Sequence, residues 1–299
     1  MTISGLVLPA VAALAIGVPA AGPHRRLHPS VGARALALAA AALTLAATAA
    51  VATLAVGFLS GIPWVREHLT WCNSLYRTHD QIPAWIGVPA TLALCAMMVA
   101  ASRAYRQARL DLWAAAEPGP QIRIVGDNRP DAYAIGGRCG HIVVSTGMLA
   151  ALDGAERRVL LAHERSHLRH RHHRYIALAL VSKASVPVLG FVTRRLRLAV
   201  ERWADEDAAA EVGDRRLVAR AIVRAALAKS DYPTGPALLG LGNLGVRARV
   251  DALLLPAPVL GNGSSSALLS APFVGAVVVA GSSLQVHHLW SFASHVCGL

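Results

Sequence analysis

Charged residues are scarce in this sequence. Only 15% of its 299 residues are Asp, Glu, Lys or Arg, against about 25% in an ordinary soluble domain. Hydrophobic residues reach 55%, and the mean hydropathy is +0.46. These values exclude a disordered chain and a purely soluble domain, and they indicate a membrane protein. The basic excess of +12 flanks apolar runs, so we attribute it to membrane topology and predict no direct nucleic-acid binding.

Cysteine is also scarce. Cys72, Cys95, Cys139 and Cys297 form no C-x-x-C pair, which argues against a cysteine zinc ribbon and a disulfide framework. The topology predicted below places Cys72 and Cys297 on the oxidising side of the membrane. A disulfide between them is permitted there but not required.

Charge is missing from three long N-terminal stretches, each with the roughly 20 apolar residues that a membrane-spanning helix needs. We therefore predict spans near 4–22, 35–59 and 83–102, within an N-terminal membrane region 1–102. No Lys or Arg precedes the first run, which argues against a cleaved signal peptide. A linker, 261–266 (GNGSSS), leads to a last span near 267–286, so that 261–299 forms a C-terminal membrane region.

The arginine distribution predicts the orientation. The first loop carries Arg25, Arg26 and Arg34 with no acidic residue, so it is predicted to be cytoplasmic. The loop 60–82 is balanced in charge and is predicted to lie outside. Arginines again follow the third span, at positions 103, 106 and 109. We therefore expect a plasma-membrane protein with an external N-terminus and a cytoplasmic domain at 103–260.

The cytoplasmic region mixes strand and helix signals. Gln121–Val125 and His141–Ser145 read as strands, with turn signals between them. Asp153 and Glu156 form a capping box for a helix that runs to about His172. Further helices are predicted at 198–211 and from Asp214 to about Lys229, with a loop at 235–245. The predicted fold class is a mainly α-helical multi-pass membrane protein with an α+β domain built from a small sheet and active-site helices.

One pentapeptide carries a chemical signature. His163-Glu-Arg-Ser-His167 is H-E-x-x-H, which on a helix places two imidazoles on one face with Glu164 beside them. Two imidazoles can bind zinc, and a carboxylate beside a zinc-bound water can take its proton. Such a pentapeptide also arises by chance in histidine-rich helices, and the run at 169–174 reads RHRHHR. That run is predicted to be a basic flank, with contact to lipid headgroups as the alternative.

A third ligand is predicted on the helix that follows. Glu201 and Asp205 are four residues apart and share one helix face. Glu201 can complete a site for one zinc ion per chain, and Asp205 can accept the second N–H of a ligating histidine. The alternative is an ordinary solvated acidic face, of which Glu206 and Asp207 would be members.

The ordered motifs resemble a known group of enzymes. Asp131-Ala-Tyr-Ala, His141-Ile-Val-Val-Ser-Thr-Gly-Met, HERSH and ERWADEDAA are similar to the integral-membrane zinc metallopeptidases of the BlaR/MecR type, and more distantly to HtpX-like and CAAX-prenyl proteases. The resemblance implies a zincin-like fold, Zn²⁺ ligands His163, His167 and Glu201, Glu164 as general base and Asp205 as the residue that orients a histidine. It also matches Arg249 to an arginine that follows the site. Some relatives stabilise the oxyanion with a late histidine that has no clear match here, and Arg249 is the predicted catalytic substitute for it. A penicillin-binding sensor domain is not expected, because too little sequence follows the last span.

Two segments near the motif have more than one interpretation. Tyr175–Val192 is apolar apart from Lys183, yet His167 and Glu201 must reach one ion, so it cannot cross the membrane once. It is a buried helix, a membrane-surface helix or a hairpin, and the break at Pro187 favours the hairpin. The strand His141–Ser145 is predicted to border the substrate cleft, with an ordinary internal strand as the alternative.

The sequence thus predicts a membrane-embedded zinc metalloendopeptidase. By resemblance its substrate is a winged-helix repressor, which makes cleavage regulatory, and its other partner is the lipid bilayer. The alternatives are HtpX-like quality control of membrane proteins and a non-catalytic receptor or scaffold with a structural zinc site. An input through the loop 60–82 and the hairpin with Lys183 is a further hypothesis.

Overall fold

The fold is described from a computed structural model, which covers residues 28–68, 82–113, 120–137, 140–230 and 236–258. The predicted spans 4–22 and 267–286 lie outside the described residues, as do Cys72, Cys139 and Cys297. Of the cysteines, Cys95 is described, and its side chain is exposed.

Two long helices form an antiparallel pair. Helix α1 (Pro29–Leu59) begins upstream of the predicted boundary at 35, and α3 (Ala84–Trp113) continues past the predicted end at 102. A short helix, α2 (Pro63–His68), follows α1. A Cβ atom on Gly87 would overlap the ring of Phe58, so the absence of a side chain lets the two helices approach closely. By length and composition, Pro29–Leu59 and Ala84–Arg109 can each cross a membrane.

A three-stranded sheet follows α3. It contains β1 (Ile122–Val125), β2 (Ala132–Ile135) and β3 (His141–Ser145) in the order β1-β3-β2, with β1 parallel and β2 antiparallel to β3. All five residues of β3 are buried. The prediction that β3 borders the cleft is therefore wrong, because it is the central strand. The strand missed by the sequence analysis, β2, occupies the edge.

The two helices after the sheet are fixed by side-chain caps. Ser145 caps α4 (Thr146–Ala151), where its hydroxyl accepts a hydrogen bond from the Met148 amide. Asp153 caps α5 (Gly154–Arg169), and the Glu156 side chain accepts a hydrogen bond from the Asp153 amide, which confirms the predicted capping box. Helix α5 ends three residues before the predicted end at His172.

A helical hairpin comes next. Helix α6 (His172–Ser185) is followed by a single 3₁₀ turn at Pro187–Leu189 and by α7 (Gly190–Val212), which begins upstream of the predicted start at 198. Proline lacks the amide hydrogen that would continue α6, so the break at Pro187 has a direct cause. The hairpin packs against α1 and α3 around an apolar core that includes Leu36, Leu43, Leu196 and Val200.

Two helices complete the described chain. Helix α8 (Arg215–Ser230) begins after Asp214, whose carboxylate accepts hydrogen bonds from the amides of residues 216 and 217. Helix α9 (Pro236–Leu254) covers the segment 235–245, so the predicted loop is wrong. The glycines suggested a loop, but proline suits the first position of a helix, and α9 packs on α8.

Candidate metal centre

The three predicted ligands meet at one point between α5 and α7. The Nε2 atoms of His163 and His167 lie 3.1 Å apart, and the Glu201 carboxylate oxygens lie 3.6 Å and 3.8 Å from them. Donor atoms around a tetrahedral zinc ion with bonds of about 2.0–2.2 Å are roughly 3.3–3.6 Å from one another. The spacing and the two-imidazole, one-carboxylate donor set therefore fit a zinc ion that keeps a fourth position for water.

The far side of the His163 ring is held by a buried ion pair. Nδ1 of His163 lies 3.0 Å from Asp205 Oδ1, as predicted for a residue that orients a ligand. Arg249 donates to both oxygens of Asp205 at 2.7 Å, and its Nη1 lies 3.1 Å from Glu201 Oε2. The guanidinium therefore contacts two predicted site carboxylates, and it anchors the ligand carboxylate rather than standing free in the cleft.

The ring of His167 is held by a residue that the sequence analysis missed. Nδ1 of His172 lies 2.9 Å from Nδ1 of His167. If Nε2 of His167 binds a metal ion, the proton of this neutral ring is on Nδ1, which then donates a hydrogen bond to Nδ1 of His172. The His172 side chain is 1% exposed and lies against the Trp203 ring, with centroids 4.9 Å apart. The signal in the sequence was a histidine five residues after the second ligand, hidden within the RHRHHR run.

Glu164, the predicted base, lines the same cavity as the three predicted ligands. Its side chain is 7% exposed, and its carboxylate accepts a hydrogen bond from the backbone N–H of Ala134 in β2. Burial is the largest influence on this group and raises its pKa, although the positive charges of His163 and Lys229 oppose that shift. A carboxylate with a raised pKa is a stronger base than an exposed glutamate, which suits proton transfer near neutral pH.

The two ligand histidines differ in their protonation. Burial lowers the pKa of His163, but hydrogen bonds to Asp205 and Glu201 outweigh burial and raise it to about 10. Burial and the nearby His163 lower the pKa of His167 to about 4. Burial alone would raise the pKa of Glu201, but the hydrogen bond from His163 and the charge of Arg249 hold it well below its ordinary value. Without metal, the site therefore holds one extra proton, on His163.

A cavity of about 820 Å³ opens beside these groups. Strand β2 lines one side, and apolar side chains of α4, α6 and α8 line others, including Met148, Ile176 and Ala225. Ala108 of α3 also reaches the cavity, which brings a membrane-candidate helix next to the site. The cavity has room for a peptide segment beside the three ligands.

The acidic residues beyond Asp205 are not an ordinary solvated face. Asp207 accepts a hydrogen bond from the Ser166 hydroxyl at 2.7 Å and lies 2.8 Å from His170 Nε2. Glu206 is paired with Arg215 at the start of α8. The alternative of an ordinary solvated acidic face therefore does not hold, because the side chains of Glu206 and Asp207 connect α7 to its neighbours.

The comparisons with known proteins agree with this geometry. Residues 102–234 match the model of Peptidase family M48. A protease HtpX homologue from Acidiphilium cryptum is 38% identical over 93 residues, which cover 29% of this chain and 32% of the relative. Homologues from Dictyoglomus thermophilum (33% identical over 96 residues; 31% and 32% covered) and Burkholderia mallei (36% over 69; 22% and 24%) are also similar. No solved structure matches.

These matches span about a third or less of the curated relatives' length. The relatives named here are HtpX homologues, so the narrower BlaR/MecR likeness remains a prediction. The matched segment contains His163, Glu164, His167 and Glu201, and its similarity to family M48 peptidases confirms the predicted enzyme class, a metalloprotease-type hydrolase, for this part of the chain.

Proposed function

We propose that this protein is a membrane-embedded zinc metalloendopeptidase whose active site faces the cytoplasm. The observation that carries the proposal is the meeting of His163, His167 and Glu201, with donor atoms all within 4.8 Å of one another, in the wall of a cavity that also contains Glu164. Helices α1 and α3 support membrane insertion, and the arginine distribution supports the cytoplasmic orientation.

The residues have distinct tasks in peptide hydrolysis. His163, His167 and Glu201 would hold the zinc ion, which would supply Lewis acidity toward the scissile carbonyl and the attacking water. Glu164 takes a proton from the attacking water and later delivers it to the leaving amine. Asp205 and His172 keep the two imidazole rings aligned through their Nδ1 atoms. The buried Arg249 balances the charge of Asp205 and Glu201.

Strand β2 is the candidate platform for the substrate. It lies at the edge of the sheet, lines the cavity, and connects to Glu164 through the Ala134 amide. An extended peptide can pair with the backbone of an edge strand, and such pairing leaves side-chain selectivity loose. The exposed Tyr133 lies where it can contact a peptide side chain. This role replaces the one that the sequence analysis gave to β3.

A structural zinc site is the competing interpretation from a different class. A structural ion is enclosed by four protein ligands, whereas the described residues bring three ligands together beside an open cavity. A structural zinc ion also does not require a general base, whereas Glu164 is a buried carboxylate in the same cavity. Both features favour catalysis.

The substrate is a protein, and two classes follow from the sequence resemblances. A winged-helix repressor is the substrate predicted from the BlaR/MecR likeness. Membrane proteins are the substrate under the HtpX-like alternative, and the relatives named above favour that alternative. Comparing the membrane and cytosolic proteomes of cells with the parent and with Glu164→Gln decides between them, since the uncut substrate accumulates in the variant.

Hydrolysis by purified protein tests the proposal itself. We expect the detergent-solubilised chain to cleave an unfolded protein, to lose activity with a chelator and to regain it with zinc. Glu164→Gln removes the base without removing a ligand, so it should abolish cleavage and retain zinc. Glu211→Gln, on the exposed side of α7, is the matched control. Full activity in Glu164→Gln, or no cleavage by the zinc-loaded parent, would contradict the proposal.

A further inference from the structure

Helix α1 is longer than a membrane span requires, and its N-terminal half is more buried than its C-terminal half. Its 31 residues extend about 46 Å, whereas the apolar core of a bilayer is about 30 Å thick. Nine of its eleven buried residues lie between Pro29 and Ala46. This half of α1 packs on α7 in the apolar core. The N-terminal half of α1 therefore belongs to the folded domain.

The contacts give the relative heights of the helices. Arg34 of α1 lies over the Trp203 ring at 5.3 Å, and the other α7 residues in the shared core precede Trp203. Helices α1 and α7 must therefore run antiparallel, with Val192 near the height of Leu43. Phe58 of α1 meets Gly87 of the antiparallel α3, so counting along α3 places residue 103 near position 42 of α1.

Five exposed cations fall at this common height. We call them the cationic collar, and they come from three different helices, α3, α6 and α7. His172 of α6 contacts Trp203 of α7. Lys183 lies eleven residues after His172 and Arg194 lies nine residues before Trp203, so the two cations differ in height by only about 3 Å. The collar consists of Arg103, Lys183, Arg194, Arg195 and Arg197.

On the side of the collar away from the metal centre, the surface of α1 and α3 is apolar and uncharged. The sequence has no charged residue between 35 and 59 or between 84 and 102. Leu45 is 70% exposed, and Trp85, at the far end of α3, is 77% exposed. Trp85 and Arg103 are eighteen residues apart on one helix, about 27 Å, which matches the thickness of the apolar core of a bilayer. Tryptophan at one boundary and arginine at the other is the expected distribution for a span.

We propose that the cationic collar is a binding site for the phosphate groups of anionic lipids, and that it fixes how deeply the protein sits in the bilayer. The proposal rests on the membrane insertion assumed above. The tip of the α6–α7 hairpin, where Val188 is 63% exposed, then reaches only a turn or two below the phosphates. Lys183 lies among the headgroups, which removes the cost of a lysine inside the bilayer.

The collar also sets the height of the metal centre. Glu201 follows Arg197 by four residues and Arg194 by seven, so the ligands lie about 6–10 Å beyond the collar along α7. An extended chain that leaves the bilayer covers this distance in about three residues. The active site is therefore positioned to reach peptide bonds close to the membrane surface.

Lipid binding by the full chain tests the collar. The inactive Glu164→Gln protein in detergent is titrated with phosphatidylglycerol or phosphatidylcholine, and retained lipids are counted by native mass spectrometry. We expect a preference for phosphatidylglycerol that falls about tenfold or more in the triple variant Arg194→Gln/Arg195→Gln/Arg197→Gln. The same three positions changed to lysine should keep the preference, because phosphate accepts a point charge.

The matched control changes three exposed arginines elsewhere, Arg129→Gln/Arg158→Gln/Arg216→Gln, which alters the net charge equally. It should bind lipid as the parent does, and all variants should still bind zinc. An equal loss in the control, an unchanged preference in the glutamine triple, or displacement of lipid by millimolar inorganic phosphate would overturn the proposal. Carbonate extraction separates the two hypotheses: release from membranes refutes membrane insertion, whereas retention without lipid preference refutes the collar alone.

Discussion

The two histidine ligands are held in contrasting ways on either side of one candidate metal site. His163 is oriented by a carboxylate that is itself clamped by Arg249, so its surroundings are ionic. His167 is oriented by the neutral, buried ring of His172 against Trp203. The same geometric task is achieved by a charge network on one side and by an apolar aromatic cluster on the other, so the two sides should differ in stability, metal affinity and pH response.

The largest effect is expected on the ionic side. Asp205→Ala leaves Arg249 buried without its main partner, and breaking a buried pair in this way costs about 3–5 kcal/mol of unfolding free energy. Denaturant titration in detergent measures the loss, and zinc affinity should also fall. The double variant Asp205→Leu/Arg249→Met should recover much of the stability, because no uncompensated charge remains. Equal stability of the parent and Asp205→Ala would show that the pair is not buried as described.

On the aromatic side we expect a loss of metal affinity with a smaller effect on stability. His172→Phe preserves the ring packing but removes the acceptor for His167 Nδ1, and such outer partners typically contribute about 10–100-fold to metal affinity. Competition with a chromogenic zinc chelator measures this change. His172→Asn retains an acceptor and should recover part of the affinity. If the His172→Phe variant binds zinc as tightly as the parent, His172 is only a packing residue.

The pH dependence of zinc binding should come from the ionic side. Free His163, with its pKa raised to about 10, is protonated near neutral pH, whereas His167, with its pKa lowered to about 4, is not. Zinc binding therefore releases one proton, and affinity should rise about tenfold for each pH unit between pH 6 and 8. Asp205→Asn removes the charge that raises the His163 pKa and should flatten the slope. A twentyfold or steeper rise per unit would indicate that more than His163 deprotonates.

The smallest effect is expected at an exposed ion pair between α5 and α7, the two helices that carry the predicted ligands. Arg165 of α5 lies 2.8 Å from Glu211 of α7, and both side chains are partly in solvent. Arg165→Ala should change the unfolding free energy by only about 0.2–1 kcal/mol and should leave zinc affinity unchanged. This variant is the reference for the Asp205 and Arg249 variants. A large loss here would mean that charge between α5 and α7, rather than burial, determines their stability.

The sequence predicted one side of the site better than the other for a physical reason. Spacing of four on a helix places His163 with His167, and Glu201 with Asp205, on shared faces, so periodicity marks the two pairs, and the family resemblance implies their roles. Contacts between distant helices have no such local signature. His172 approaches His167 only because the chain turns after α5, with Arg171 in the left-handed region at φ 53°, and the histidine-rich run obscured that role.

The fold shows the same division between local and long-range information. The strand His141–Ser145 and the caps of α5 and α8 were predicted because each depends on neighbouring residues. The central position of β3 in the sheet was not predicted. The order of the strands depends on β2, which is a four-residue strand between two turn signals. Helix α9 was missed because its glycines suggested a loop, whereas packing against α8 stabilises the helix.

X-ray absorption at the zinc edge of the loaded protein tests the central claim, the metal centre, most directly. The account predicts one zinc per chain with only nitrogen and oxygen neighbours at about 2.0–2.2 Å, including two imidazoles, and the loss of one oxygen or of the metal itself in Glu201→Ala. Asp205→Asn and His172→Phe should retain two imidazole ligands with weakened binding. Sulfur scattering at about 2.3 Å, or an unchanged spectrum in Glu201→Ala, would contradict the assignment of His163, His167 and Glu201 as the ligands.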